Sequence, residues 1–172
     1  MRNGRPDEAD PLTEAFARHQ AEILGTLFYL VGNVEDARDA LQETFVKCWR
    51  HRDDLGRIAN LKAWIFRIAL NTGRDLRGAA WRRRRVALPG DGSMLVSPHA
   101  GPPDDLVRDE QLHSLRLAVL ALRAEEQEVF LLRQNGEMTY DEIALAVGIP
   151  VGTVKTRMRL ALGKLRLALE TP

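Results

Sequence analysis

The sequence holds a single cysteine, Cys48, and that scarcity removes several kinds of protein at once. No internal disulfide is possible, and a cysteine-based zinc site, which uses two to four thiolates, cannot be assembled. The histidines His19, His51, His99 and His113 are scattered, without an i,i+4 pair, and read as ordinary surface residues. No metal and no cofactor is expected. No glycine-rich phosphate loop of the mononucleotide or dinucleotide type occurs, and no catalytic constellation either, so an enzyme is not expected. Apolar runs fall well short of the roughly 20 residues that a bilayer helix needs. The first residues, MRNGRPDEADP, lack the apolar centre of a signal peptide, which points to a cytoplasmic protein with no membrane insertion. Charge of one sign is not in excess: Lys plus Arg number 25 against 24 for Asp plus Glu, so the distribution of charge must identify any anionic partner.

What is present is a chain of 172 residues, 45% hydrophobic and 28% charged, enough for one ordinary domain or two small ones. Residues 1–11 are polar, with Pro6 and Pro11, and read as a disordered terminus. From Leu12 the pattern turns helical, with Phe16, Ile23, Leu24, Leu27 and Leu30 at helical spacing up to Gly32. Asn33 caps a second helix, on which Ala37, Leu41, Phe45, Cys48 and Trp49 share an apolar face and Arg38, Asp39, Gln42, Glu43 and Lys47 lie largely outside. The stretch HRDDLGRIAN is a polar loop, and Asn60 can cap a third helix whose apolar face carries Leu61, Trp64, Ile65, Ile68, Thr72 and Leu76.

Four prolines and three glycines fall in residues 87–105, a composition that cannot build a core. We place a linker at 87–107, between domains at 12–86 and 108–172. Leu112, Leu115, Val119 and Leu122 line the next helix, followed by an apolar cluster at Val129, Phe130 and Leu132. Thr139 and Glu142 fit an N-terminal capping box, which satisfies two orphan N–H donors reciprocally. Gly148 can end that helix in a left-handed turn, and a final helix from near Val151 carries Val154, Met158, Leu162, Leu165 and Leu169 on its inner stripe. No convincing strand alternation occurs, so the fold class is all-α in two modules.

Two features carry chemistry. Thr139–Leu169 has the form of a helix-turn-helix, with an acid-free final helix from Val151 to Leu169. The bland alternative is a helical hairpin with a solvated basic face. On the third helix Lys62, Arg67, Arg74, Arg77 and the run Arg82 to Arg85 stand against one acid, Asp75. Such a cluster can bind nucleic acid through counterion release even in a chain of near-zero net charge. Asn71, on one stripe with Arg67 and Arg74, looks like a base reader between phosphate clamps, although a solvated face has the same pattern.

These segments resemble, in order, the motifs of the extracytoplasmic-function (ECF) sigma factors, the two-domain promoter-specificity subunits of bacterial RNA polymerase. DARDALQETFVKCW resembles the clamp-binding helix and NLKAWIFRIALN the promoter-melting helix. EEQEVFLLR resembles the start of the second domain, and MTYDEIALAVGIPVGTVKTRM its helix-turn-helix. The resemblance implies an alternative sigma factor that binds core polymerase and directs promoter-specific initiation. It implies that Asp39, Gln42, Glu43 and Lys47 dock on the coiled coil of the largest subunit, with the flap as a second contact, and that an anti-sigma factor is a further partner. Leu55, Asn60, Arg67, Asn71, Arg74 and Arg77 would serve the minus-ten element of promoter DNA. Thr153, Lys155, Thr156, Arg157, Arg159 and Lys164 would serve the minus-thirty-five element. Leu55 stands where the family often has an aromatic, and Arg159 and Leu160 occupy a pair where the arginine is more often second. The rival readings are a sigma-like decoy for an anti-sigma protein and a stand-alone helix-turn-helix repressor.

Overall fold

A computed structural model describes the backbone of residues 10–86 and 103–170, with side chains described from 10 to 79 and from 111 to 170. The described residues form helices joined by short turns, without a strand. Residues 1–9 of the expected disordered terminus, and residues 87–102 of the expected linker, lie outside the described residues.

The first helix, α1, runs Pro11–Val31. It starts earlier than its apolar pattern: Asp10 accepts from the Thr13 N–H at 3.1 Å, and Pro11 takes the first position, where its missing N–H costs nothing. Pro11, expected in the disordered terminus, is therefore helical. Helix α2 spans Val34–Arg50 under the Asn33 cap, whose Oδ1 accepts from the Asp36 N–H at 2.8 Å. The expected polar loop contains a 3-10 helix, Arg52–Arg57, and helix α3 then covers Leu61–Val86. These three α-helices pack on one another. Their core is built from Leu12, Ile23 and Leu27 of α1, Ala37, Ala40 and Cys48 of α2, and Ile65, Phe66 and Leu70 of α3. At Gly73 a Cβ would sit 3.1 Å from Leu30 Cδ1 and 3.2 Å from Leu27 Cδ2, so the glycine permits the close approach of α3 to α1. Thr26, Thr44 and Thr72 enter this core because each hydroxyl donates to the carbonyl one turn back, at 2.9, 2.6 and 2.9 Å.

Helix α4, Pro103–Leu120, begins inside the segment expected as linker. A proline suits the first helical position, so Pro103 opened a helix where composition suggested a loop. Helices α5 (Ala124–Gln134), α6 (Tyr140–Val147) and α7 (Val151–Glu170) follow. Helices α4, α5 and α6 all pack on α7, and the two halves also meet, α6 lying along α3 and α5 touching α1.

Several expected core residues are outside. Trp49 is 40% exposed at the end of α2, its ring covered by the Arg52 guanidinium at 4.7 Å. Leu162 and Leu169 are exposed because the buried stripe of α7 runs through Val154, Met158, Ala161 and Leu165, which holds the 3.6-residue period more closely. Leu112 is exposed as well. His19, expected on the surface, is instead tucked against Phe66, ring centroids 6.4 Å apart, with its buried Nδ1 3.8 Å from Glu22 Oε1. Burial and the nearby Lys62 charge hold its pKa below the ordinary histidine value.

Candidate nucleic-acid interface

On α2 the helical period sets Asp39, Gln42 and Glu43 on one exposed stripe. Lys47 is only half exposed: its ammonium donates to Thr72 Oγ1 at 3.1 Å, pairs with Glu43 at 2.9 Å and lies 3.8 Å from Asp75 of α3. It ties the stripe to α3. Beside Gln42 opens a shallow apolar groove floored by Phe16, Leu41 and Phe45, with Val46 at its rim. Val46 is 44% exposed, and with Trp49 it adds an apolar component to a surface the sequence reading treated as polar. Its position next to Gln42 on the outer stripe was the signal available.

The α3 residues meet partners from the other half of the chain. Asn60 caps α3 as expected, accepting from the Ala63 N–H at 2.8 Å, and its Nδ2 also donates to Glu142 Oε1 of α6 at 3.2 Å. Arg67 is exposed, and its Nη2 would lie 3.0 Å from a Cβ at Gly148. Asn71 is exposed and accepts from Arg74 Nη1 at 3.1 Å. Arg74 itself makes a two-pronged pair with Glu128 of α5: Nε donates to Oε1 at 2.7 Å, and Nη2 donates to Oε2. Glu128 is nearly fully buried, and its hydrogen bonds hold the Arg74 pKa above the ordinary arginine value. Along the α3 stripe Arg67 and Asn71 face solvent, whereas Arg74 is matched to a carboxylate. Leu55 packs half-buried against the core, and Arg77 is half-exposed.

In the C-terminal half the capping box is complete. Thr139 Oγ1 accepts from the Glu142 N–H at 3.2 Å while Glu142 Oε2 accepts from the Thr139 N–H at 2.8 Å. The backbone N–H of Thr139 is the main reason the Glu142 pKa is lowered; burial opposes it, and the Asn60 amide assists. Gly148 adopts φ of 76°, the left-handed turn that joins α6 to α7 at no side-chain cost. Val154 and Met158 are buried beneath, which leaves Lys155, Thr156 and Arg159 exposed and Thr153 and Arg157 half-exposed on α7. Lys164 is committed elsewhere, its ammonium donating to both oxygens of buried Glu126 at 2.8 and 2.7 Å. Among the described residues no helix is long and apolar enough to cross a membrane.

Two helical groups, one with a basic third helix and one ending in a helix-turn-helix, have the architecture of a DNA-binding protein. Residues 15–85 match the family description Sigma-70 region 2, and residues 112–165 match Sigma-70, region 4. The ECF RNA polymerase sigma factor SigL of Mycobacterium tuberculosis is 30% identical over 164 residues, with 95% of this chain and 91% of that protein covered. The ECF RNA polymerase sigma factor RpoE of Cereibacter sphaeroides is also 30% identical, covering 93% of this chain and 86% of that protein. A solved structure of CnrH in complex with the cytosolic domain of CnrY superposes with a TM-score of 0.66 at 25% identity, over 92% of this chain and 87% of that one. The sigma factor RpoE of Bartonella quintana, solved with the anti-sigma factor NepR, shares the fold at a TM-score of 0.66 and 21% identity, over 93% of this chain and 94% of that one. The chain belongs to the sigma-70 family, among its ECF sigma factors. Its role is promoter-specific transcription initiation through RNA polymerase and DNA.

Proposed function

We propose the following division of labour for this sigma factor. Asp39, Gln42 and Glu43, with the apolar rim at Val46, dock on the coiled coil of the polymerase's largest subunit. Residues 51–60 and the α3 stripe of Arg67, Asn71, Arg74 and Arg77 receive the minus-ten element. There the amide of Asn71 pairs with an extruded base edge while the arginines hold phosphates. Helix α7 enters the major groove of the minus-thirty-five element with Lys155, Thr156, Arg157 and Arg159, and Thr153 lies at its start. The first domain comprises α1 to α3 and the second α4 to α7, with residues 87–102 between them. The protein works in the cytoplasm without catalytic residues of its own, and an anti-sigma factor is a partner, a reading supported by the two complexes to which the fold is similar.

The observation that carries this reading is α7: an exposed Lys155, Thr156 and Arg159 on a helix that has no acid between Val151 and Leu169, seated by a fully formed capping box and a left-handed glycine. Run-off transcription with purified core polymerase on a genomic library, followed by selection of upstream elements, tests it. Arg159→Ala should weaken promoter binding and relax one upstream position by about 1–3 kcal/mol. Wild-type preference in that variant, or no initiation by the wild type at any promoter, would return the chain to a decoy or a repressor.

A further inference from the structure

Helix α7 turns its buried stripe, Val154, Met158, Ala161 and Leu165, toward the other helices of its half. At about 100° per residue, the line directly opposite that stripe runs through Gly152, Thr156, Leu160 and Gly163, all exposed, while Lys155 and Arg159 stand to one side of it. The centre of the outward face is therefore small or apolar, and the long donors flank it. Leu160 is 46% exposed there. A Cβ at Gly152 or at Gly163 would meet no atom within 4 Å, so no close packing among the described residues calls for either glycine. Each nevertheless weakens a helix by roughly 0.5–1 kcal/mol relative to alanine.

Thr156 stands in the middle of this line. Its Oγ1 donates to the Gly152 carbonyl one turn back at 3.1 Å, so its only hydroxyl proton is engaged within the helix. With the oxygen folded onto the backbone, the methyl at the next staggered position is the group that the side chain offers to a ligand. In the major groove thymine alone among the four bases adds a methyl at C5, and an apolar group on a reading helix matches it, whereas arginine and lysine match guanine or phosphate. We propose that Thr156 selects a thymine of the upstream element by contact between its methyl and the 5-methyl group, with Leu160 excluding water beside it. The proposal rests on the reading that α7 enters the major groove of the minus-thirty-five element. The two glycines serve the same contact: without side chains at 152 and 163, the groove comes close enough for a side chain as short as threonine to touch a base.

Deoxyuridine in place of thymidine removes the 5-methyl group and leaves base pairing intact, which isolates this contact. Holoenzyme assembled from the full-length chain and purified core polymerase is bound to duplex fragments of a promoter mapped by run-off transcription. The fragments carry deoxyuridine at one upstream thymidine at a time, on either strand, and relative affinities are read by competition in fluorescence anisotropy. For wild type we expect one position at which loss of the methyl weakens binding about fourfold, the factor that burial of one methyl-sized group supplies. Thr156→Ser keeps the hydroxyl and removes the methyl, and should bind the two fragments alike. Thr156→Val keeps the branched shape and removes the hydroxyl, and should retain the preference. Thr156 is exposed, so neither variant disturbs the core, and circular dichroism verifies helicity. Indifference of wild type to every replacement overturns the proposal, as does a preference that survives in Thr156→Ser or disappears in Thr156→Val. Arg159→Ala on the same fragments keeps this apart from the reading beneath it. If Arg159→Ala binds weakly while the methyl makes no difference, only the role of Thr156 falls. If Arg159→Ala and Thr156→Ser both bind as wild type does, with the same preferences, α7 does not read the element and both fall.

Discussion

Lys164 Nζ lies 2.7 and 2.8 Å from the two carboxylate oxygens of Glu126, a side chain only 5% exposed, and so pins α7 to the start of α5. Removing one member of a buried pair leaves the other charge uncompensated, a loss of about 3–5 kcal/mol when both are buried. Lys164 is 44% exposed, so solvent screens part of that cost. We expect Lys164→Ala to lower the stability of the C-terminal half by about 1–3 kcal/mol in urea denaturation. Upstream-element preference should stay unchanged. A stable variant with altered preference would assign Lys164 to DNA.

Gln42 and Glu43 present adjacent polar groups on the exposed face of α2. Changing both to Ala should weaken core-polymerase binding by more than about 1 kcal/mol, because truncation leaves partners unpaired across the interface. Pull-down with core enzyme, paired with circular dichroism to verify helicity, measures it. Unchanged affinity in a folded double variant removes α2 from the polymerase interface.

Asn71 separates binding from melting. Its exposed amide lies beside Arg74, from whose Nη1 it accepts a hydrogen bond at 3.1 Å. Asn71→Ala should leave core binding and upstream contact nearly intact but lower open-complex formation on duplex promoters. Templates already unpaired at the minus-ten segment should restore opening in part, since extruding a base costs a few kcal/mol that pre-melting removes. Permanganate reactivity of unpaired thymines on both templates is the measurement, and normal opening of duplex DNA by the variant contradicts the assignment.

Glu142 makes stability depend on acid. Hydrogen bonding from the Thr139 N–H, with help from Asn60, holds its folded pKa below the ordinary 4.5. The folded state therefore favours the carboxylate. The contribution is complete above the unfolded value and is lost as pH falls through the folded one. We expect Glu142→Gln to lower the thermal midpoint near neutral pH, and the gap from wild type to close as pH drops below about 4.5. A gap independent of pH would mean that the capping geometry, and not the charge, supplies the stabilisation.

Most of the local structure was legible along the chain. Asn33, Asn60, Thr139 with Glu142, and Gly148 each act on backbone groups within a turn of themselves, so their roles as caps follow from spacing. The limits of that reading are equally local. Pro11 and Pro103 resemble loop residues by composition but occupy first helical positions, and Trp49 follows the apolar period of α2 yet stays exposed, stacked on Phe45 with ring centroids 6.0 Å apart. Leu162 and Leu169 were misplaced because the small Ala161, and not the larger neighbouring Leu162, takes the buried position after Met158.

Helices with a helix-turn-helix at the end, and basic residues gathered on α3 and α7, follow from the order of residues alone, since periodicity, capping and charge order are written within a few residues of one another. Which of those polar groups remain available was decided only by tertiary structure. Arg67 and Arg74 belong to the same stripe in sequence, yet Arg74 is held by Glu128 and Arg67 faces solvent. Lys155 and Lys164 both lie on the acid-free helix, yet only Lys164 is taken by a buried carboxylate. The physical reason is that each pairing depends on a partner from another helix, brought close by the packing of α6 on α3 and of α5 on α7, and no local period encodes that distance.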